Sequence, residues 1–285
     1  MGATPDVVAS LEGVAVRRLE GGATVPCLSY ESVESAAREH GLTLREVSVI
    51  ALENGIVPLR YLKNVGTLGT AGQARLLRSR VLVVGAGGLG GGAVELLARS
   101  GVGAIVLADP DVFEETNLNR QNFCCTDVIG RPKVLVAGER VRYINPEVDV
   151  EAQAVAADRH NLPDLLHGCG AAIDALDNLD DRRALQAACA AAGVVMVHGA
   201  IAGTSLQVTT VYPGEAGLEG FAPYGGSAGG RGIELETGNP ATTPLLCAAI
   251  QVQEAVKVLV GEGETLRGRM LYMDSADWTF ELIDL

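Results

Sequence analysis

The 285-residue chain is 48% hydrophobic and 20% charged, which supplies a substantial core and excludes wholesale disorder. Its 22 Lys+Arg against 35 Asp+Glu give a net charge of −13, so a nucleic-acid partner is excluded unless the chain carries a local basic patch, and none is visible. The six cysteines and four histidines fall at spacings that suit no zinc site, and none is expected.

Near the N-terminus, Asp6, Glu12, Arg17 and Arg18 break any apolar run, so no export signal or membrane span is expected there. Together with unpaired thiols this predicts a cytoplasmic protein. Residues 1–28 show no clear period and receive no element. Ser29 and the stretch to Gly41 predict a short capped helix ended by glycine. Thr43 with Glu46 three residues on, apolar positions at 44, 47, 50 and 51, and Gly55 predict a second. Residues 1–57 therefore read as a small helical appendage. Two helices joined at Gly41 also resemble a helix-turn-helix, but the acidic balance argues against DNA.

From residue 58 to 285 a single larger domain is expected. Apolar strands at Val81–Val84, Ala104–Asp109, Val148–Ala154, Ala171–Asp174 and Val194–Val197 alternate with helices at Leu89–Arg99, Lys133–Ile144 and Leu179–Ala192. That alternation predicts an α/β fold, Rossmann-like, with a mostly parallel doubly wound sheet. The period changes at Leu206, Val208 and Thr210, which predicts antiparallel additions. A Gly/Pro-rich loop over 213–241, a helix from Thr243 to Val260 and two strands, Met270–Met273 and Thr279–Ile283, complete the domain.

The first strand of this domain runs into Gly85-Ala86-Gly87-Gly88-Leu89-Gly90 and then a helix. The first glycine permits the turn, the second lets backbone N–H groups approach a phosphate, and the third lets helix pack on strand. Asp109 ends the next strand, 19 residues past Gly90, where a carboxylate can accept hydrogen bonds from a ribose. This context alone suggests NAD as readily as ATP. Arg120 and Lys133 downstream favour a triphosphate, because a transferring adenylyl group needs cations around the departing pyrophosphate. Asp177, just past the strand ending at Asp174, is placed for Mg²⁺. An NAD-dependent oxidoreductase leaves Arg120 and Lys133 unexplained, and a non-catalytic scaffold leaves the whole ligand set unexplained.

Several motifs occur in order: the glycine loop, Asn117-Leu118-Asn119-Arg120-Gln121, Gly130 with Lys133, Asn145-Pro146, Asp174 with Asp177-Asn178 and Arg182 or Arg183, and Gln251 with Glu254 and Lys257. Together they resemble the ThiF/MoeB/HesA family, bacterial relatives of ubiquitin-activating enzymes, from about Arg60 to Leu285. The resemblance implies a homodimer that binds ATP–Mg²⁺ and adenylylates the C-terminal Gly-Gly carboxylate of a ThiS/MoaD-like ubiquitin-like sulfur carrier. The activated carrier would serve sulfur transfer for a pterin or thiamine cofactor; acyl-adenylate chemistry on a peptide or a tRNA base is the alternative. It further implies an ATP site of Gly85, Gly87, Gly88, Gly90, Asp109, Thr116, Asn117, Arg120, Gln121, Lys133, Asp177 and Asn178, with Asp177 on Mg²⁺. Arg60-Tyr61-Leu62-Lys63 matches a family segment whose last arginine reaches the partner subunit's site. Here that residue is Lys63, and either Lys63 or Arg60 is the trans cation.

The chain also departs from the family. It lacks the two CxxC pairs that hold zinc in many relatives, so the region of Tyr212-Pro213 must close by packing. It also has no cysteine in the loop where some relatives carry an acceptor thiol. Cys189 and Cys247 read as core, and Cys124 and Cys125 as the better reactive candidates because cations are near. Arg182 or Arg183 is either a partner of Asp177 or a solvated helix charge. His198 reads as a satisfied histidine at a sheet edge. No general base is needed, since a carboxylate nucleophile is already ionised at neutral pH.

Overall fold

The computed structural model describes residues 5–220 and 237–285. It opens with α1 (Pro5–Val14), then a hairpin of β1 (Val16–Glu20) and β2 (Ala23–Leu28). Gly21 and Gly22 turn the hairpin at φ 56° and 82°, the left-handed pair that a two-residue connection demands. Helix α2 (Tyr30–His40) starts on Ser29, whose hydroxyl accepts from the Ser32 N–H, and stops at left-handed Gly41. Helix α3 (Leu44–Glu53) carries the reciprocal Thr43–Glu46 capping box. The short β3 (Val57–Pro58) pairs in parallel with β2 and completes a three-stranded sheet. The N-terminal unit is thus mixed and not purely helical. Its two expected helices form, while residues 5–28 supply a third helix and a hairpin. Those strands were hard to read because Val16–Glu20 is exposed on both faces and so has no apolar alternation.

The unit is fused to the rest of the chain. Leu28, Val33 and Val47 fill its own core, while Cys27, Leu52, Val57 and Tyr61 pack with Ala74 and Leu77 of α4 (Val65–Arg78). A buried polar seam lies beside this contact. Tyr61 donates to Glu147 Oε2 at 3.0 Å, and the Asn145 amide donates to the Tyr61 hydroxyl and to the Ala98 carbonyl, both at 2.9 Å.

The larger domain runs β4 (Arg80–Val84), α5 (Gly88–Ser100), β5 (Ala104–Ala108), α6 (Lys133–Ile144), β6 (Asp149–Gln153), α7 (Leu162–Leu165), β7 (Ala171–Asp174), α8 (Leu179–Ala192), β8 (Val195–Ala202), β9 (Ser205–Val211), α9 (Thr242–Val260), β10 (Arg269–Asp274) and β11 (Thr279–Asp284). The eight-stranded sheet has the order β11-β10-β9-β8-β7-β4-β5-β6. Strands β6 through β8 are parallel and β9 to β11 are antiparallel, as the change of period predicts. Alternate residues of β4 serve the two faces: Val81 and Val83 pack with Leu97 and Ala255, Leu82 and Val84 with Leu162 and Leu185. By length and composition α9 could cross a membrane. Instead Cys247, Ala248 and Ala255 are fully buried and the helix lies along α5, β8 and β9. Part of the loop expected over 213–241, residues 221–236, lies outside the described residues.

The chain runs out from β4 to β6 and then returns to place β7 on the other side of β4. The direction reverses between β4 and β7, so the crevice at their carboxyl ends is where such sheets bind ligands.

Where relatives carry zinc-binding cysteines, polar packing closes the fold. The Arg267 guanidinium lies 4.6 Å from the Tyr212 ring centroid and bonds Glu215, which also accepts the Tyr212 N–H. Buried Glu254 accepts from Thr210 Oγ1 and Leu266 N, each at 2.6 Å, and pairs with Lys257. Elemental analysis of purified protein should therefore find well under one zinc per chain. About one per chain would overturn this and require ligands drawn from distant cysteines and histidines.

Candidate active site

Two loops meet at the crevice. The first follows β4. Gly85 has φ 98°, and a Cβ there would lie 2.5 Å from the Ala175 carbonyl oxygen of the loop after β7. A Cβ on Gly90 would collide with the Gly85 carbonyl, so this glycine lets α5 pack onto the turn. Gly87 caps α5 without any side-chain hydrogen bond. The first-turn N–H groups are thereby left for an anion, and the helix dipole favours one. At Gly88 a Cβ would come 3.2 Å from the Arg120 carbonyl, so the 120 segment already lies against the glycine loop.

Asp109, just past β5, is 6% exposed and ties two segments together. Its Oδ2 accepts the Ala86 N–H at 2.6 Å and its Oδ1 accepts the Asp111 N–H at 2.8 Å. Each oxygen keeps lone-pair capacity for a further donor such as a ribose hydroxyl. Lys133, the first residue of α6, is buried with its ammonium 2.8 Å from Asp111 Oδ2. Arg120 bonds the Thr116 carbonyl at 3.0 Å and Asn119 Oδ1 at 2.8 Å. Asn117 is buried and closes its own turn, Oδ1 accepting the Glu114 N–H, while Thr116 is exposed. Gln121 is 7% exposed, and its Oε1 is buried without a hydrogen-bond partner.

The second loop follows β7. Asp177 is exposed. Asn178 spends its Oδ1 capping α8, accepting the Asp181 N–H at 2.9 Å, and its amide is 3.5 Å from Asp177 Oδ1. Asn178 is thus a helix cap that holds Asp177 from one side.

Orphaned Gln121 Oε1 and the uncapped start of α5 fit a bound nucleotide, since each leaves unmet hydrogen-bonding capacity at the crevice. Among the described residues no group of three or more His, Cys, Asp or Glu could hold a metal alone. A lone carboxylate suits Mg²⁺, which is commonly held by one or two carboxylates, waters and substrate phosphates.

The structure brings the glycine loop, Asp109, Arg120, Gln121 and Lys133 together, with the Asp177 loop touching the glycine turn. It does not bring Arg60 or Lys63 there within one chain. Arg60 bonds Asn145 and pairs with Glu147 at 3.4 Å under Tyr30. Lys63 is 81% exposed at its side chain and pairs with Glu20 at 2.8 Å.

Three sequence readings change. His198 is not at a sheet edge: β8 continues through Gly199 to Ala202 because β9 pairs along it, and His198 is buried in mid-strand. Its Nδ1 lies 2.7 Å from Asp174 Oδ2. Arg182 turns to Asp174 and the Leu176 carbonyl, not to Asp177, while Arg183 is exposed beside Asp180. The reactivity expected of Cys124 and Cys125 does not survive their surroundings. Burial raises the Cys124 pKa against the opposing pull of Lys133, and a hydrogen bond to Asp127 raises that of Cys125. Cys189 and Cys247 are core, with burial pushing both up to about 12.

The ThiF family matches residues 60–285. The SAMP-activating enzyme E1 of Haloferax volcanii is 40% identical over 226 residues, 79% of this chain and 84% of that protein. The sulfur carrier protein adenylyltransferase of Thermus thermophilus is 34% identical over 219 residues, 75% of this chain and 81% of its own. In three dimensions, E. coli MccB crystallised with ATP superposes with a TM-score of 0.65 at 18% identity, covering 96% of this chain and 95% of MccB. On the extent of the family match and on these identities, the chain belongs to the ThiF family.

Proposed function

We propose that the chain uses ATP–Mg²⁺ to adenylylate the C-terminal Gly-Gly carboxylate of a small ubiquitin-like sulfur-carrier protein, releasing pyrophosphate for sulfur transfer in cofactor biosynthesis. The observation that carries this reading is the meeting of two loops at the β4/β7 crevice. One offers free helix-terminal N–H groups beside Arg120, Gln121 and Lys133, the other a lone carboxylate, Asp177. Two relatives, named for SAMP activation and for sulfur carrier adenylylation, support the choice of substrate.

In this reading Asp109 accepts from the ribose, and the α5 N-terminus and Gly88 hold the phosphates. The carrier carboxylate attacks the α-phosphorus in line, forming the new C(O)O–P bond as the bond to pyrophosphate breaks. No proton moves, because the nucleophile is already ionised. Arg120 and Lys133 offset the charge gathering on the leaving group, so catalysis is positioning and charge neutralisation. When bound at Asp177, Mg²⁺ supplies charge compensation across the phosphate oxygens. The enzyme acts as a homodimer in which Lys63 reaches the partner's phosphates.

A second reading, adenylation of a peptide carboxylate, draws on the MccB superposition. That superposition takes in nearly the whole chain, N-terminal unit included, whereas the carrier adenylyltransferases match about three quarters of it. At 18% identity it bears on fold alone.

Calorimetry separates ATP from NAD. The protein should bind ATP with Mg²⁺ and not NAD, and tight NAD binding without ATP binding would overturn the assignment. Labelled pyrophosphate should exchange into ATP only when a carrier ending in Gly-Gly is added. Exchange supported equally by a carrier lacking those two residues would sink the carrier reading.

A further inference from the structure

Behind the Asp177 loop lies a polar cluster that the proposed chemistry does not touch. Asp174 is fully buried at the end of β7, level with His198 on β8. One carboxylate oxygen faces His198 Nδ1 at 2.7 Å and Arg182 Nε at 3.9 Å, and the other accepts the Leu176 N–H at 3.0 Å. Arg182 also donates to the Leu176 carbonyl from both Nε, at 3.2 Å, and Nη2. His198 Nε2 stands 3.4 Å from the Gln207 amide, which fits a neutral ring with its proton on Nδ1. From α9, Gln251 donates to the Asp174 and Val197 carbonyls at 2.9 and 3.0 Å. It fits only because position 199 is glycine, where a Cβ would lie 2.5 Å from its amide carbon.

Burying a carboxylate costs several kcal/mol unless partners compensate, and an exposed lysine or serine would serve a plain strand end more cheaply. The cluster does one specific thing. It grips both backbone polar groups of Leu176, the residue before Asp177, while Asn178 after it is fixed as the α8 cap. Asp177 itself has no such bond and projects from between two fixed neighbours.

We propose that His198, Asp174 and Arg182 form a positioning unit that sets the place of the Asp177 carboxylate over the glycine loop. They act through the Leu176 backbone and touch no substrate. This inference rests on Asp177 being the residue that holds Mg²⁺ with ATP. Removing a group that orients a metal ligand typically weakens metal affinity ten- to hundredfold.

The test reads binding and backbone protection in His198→Phe and Arg182→Gln, the second a partly accessible site that spares the β-sheet core. In wild-type protein Mg²⁺ should tighten ATP binding, measured by calorimetry without carrier. Both variants should lose roughly ten- to hundredfold of that gain. AMP, which needs no metal, should bind within about twofold of wild type, since its contacts run through Asp109 and α5. In ligand-free protein, hydrogen exchange across 175–178 should accelerate in both variants, with the peptides of β4 and α5 unchanged. Equal losses for AMP and Mg²⁺–ATP, or unaltered exchange across 175–178, would overturn the proposal. Should His198→Phe not fold, Arg182→Gln decides by the same readings. Asp177→Asn is the control. If it keeps the Mg²⁺ gain, the assignment of Asp177 fails first and the positioning unit has nothing to position.

Discussion

Replacing Asp177 by alanine should lower carrier-dependent exchange of pyrophosphate into ATP by about three orders of magnitude, the scale seen when one preorganised charge partner is taken from a transition state. Fold stability should hardly change. Asp177 is exposed and makes no bond that shapes its loop, since Leu176 and Asn178 carry those. A surface substitution of this kind normally stays within about half a kcal/mol. The loss would therefore be chemical, and AMP binding should survive as a sign of an intact site. Exchange within about tenfold of wild type would remove Asp177 from the mechanism and return the crevice to a simple nucleotide-binding role.

Much of this site was legible because its residues obey local rules. A glycine loop between an apolar strand and a helix has one geometry, and each glycine has a physical reason: a positive φ at 85, helix packing at 90, contact with Arg120 at 88. Asp109 and Lys133 sit at element ends, where a sequence pattern places them within a residue or two. The cluster behind the site was not legible in the same way. Asp174, Arg182, His198 and Gln251 come from four different elements and meet only because β7 lies beside β8 and α9 crosses both. A charged residue ending the apolar run Ala171–Ile173 was the one local signal. His198 was misplaced because strand length depends on the partner: β8 reads as ending at Val197 until β9 is seen to pair along its extension. The hairpin at 16–28 escaped for the converse reason. It buries little, so its composition follows solvent and not the pleat.

The cysteines show the limit of reasoning from neighbours in sequence. Arg120 and Arg131 flank Cys124 and Cys125 in the chain, yet burial governs Cys124 and Asp127 governs Cys125. With the remaining four thiols buried, no low-pKa nucleophile stands among the six cysteines. The activated carrier would then leave as the acyl-adenylate, for a sulfur nucleophile supplied by another protein.

Lys63→Ala and Asp177→Ala should each be nearly inactive alone and recover activity when mixed. The two candidates for a cation acting in trans are placed very differently. Arg60 is held by Asn145 and Glu147 in the seam beside buried Tyr61, and withdrawing it would strand Glu147, whose burial already raises its pKa. Lys63 is held only by an exposed pair with Glu20, worth at most about 1 kcal/mol, so it can swing to a triphosphate at little cost. An ammonium in place of an arginine keeps the charge and loses the two-pronged hydrogen bond, which a leaving group spreading charge over several oxygens tolerates. If the two variants exchange subunits at random, half the dimers are mixed. Each mixed dimer holds one site with both residues intact, so about a quarter of wild-type sites return. Should Lys63→Ala prove active by itself, the same pairing with Arg60→Ala decides between the cations. If neither pairing recovers exchange although mass spectrometry finds mixed dimers, no cation crosses the interface and each subunit completes its own site.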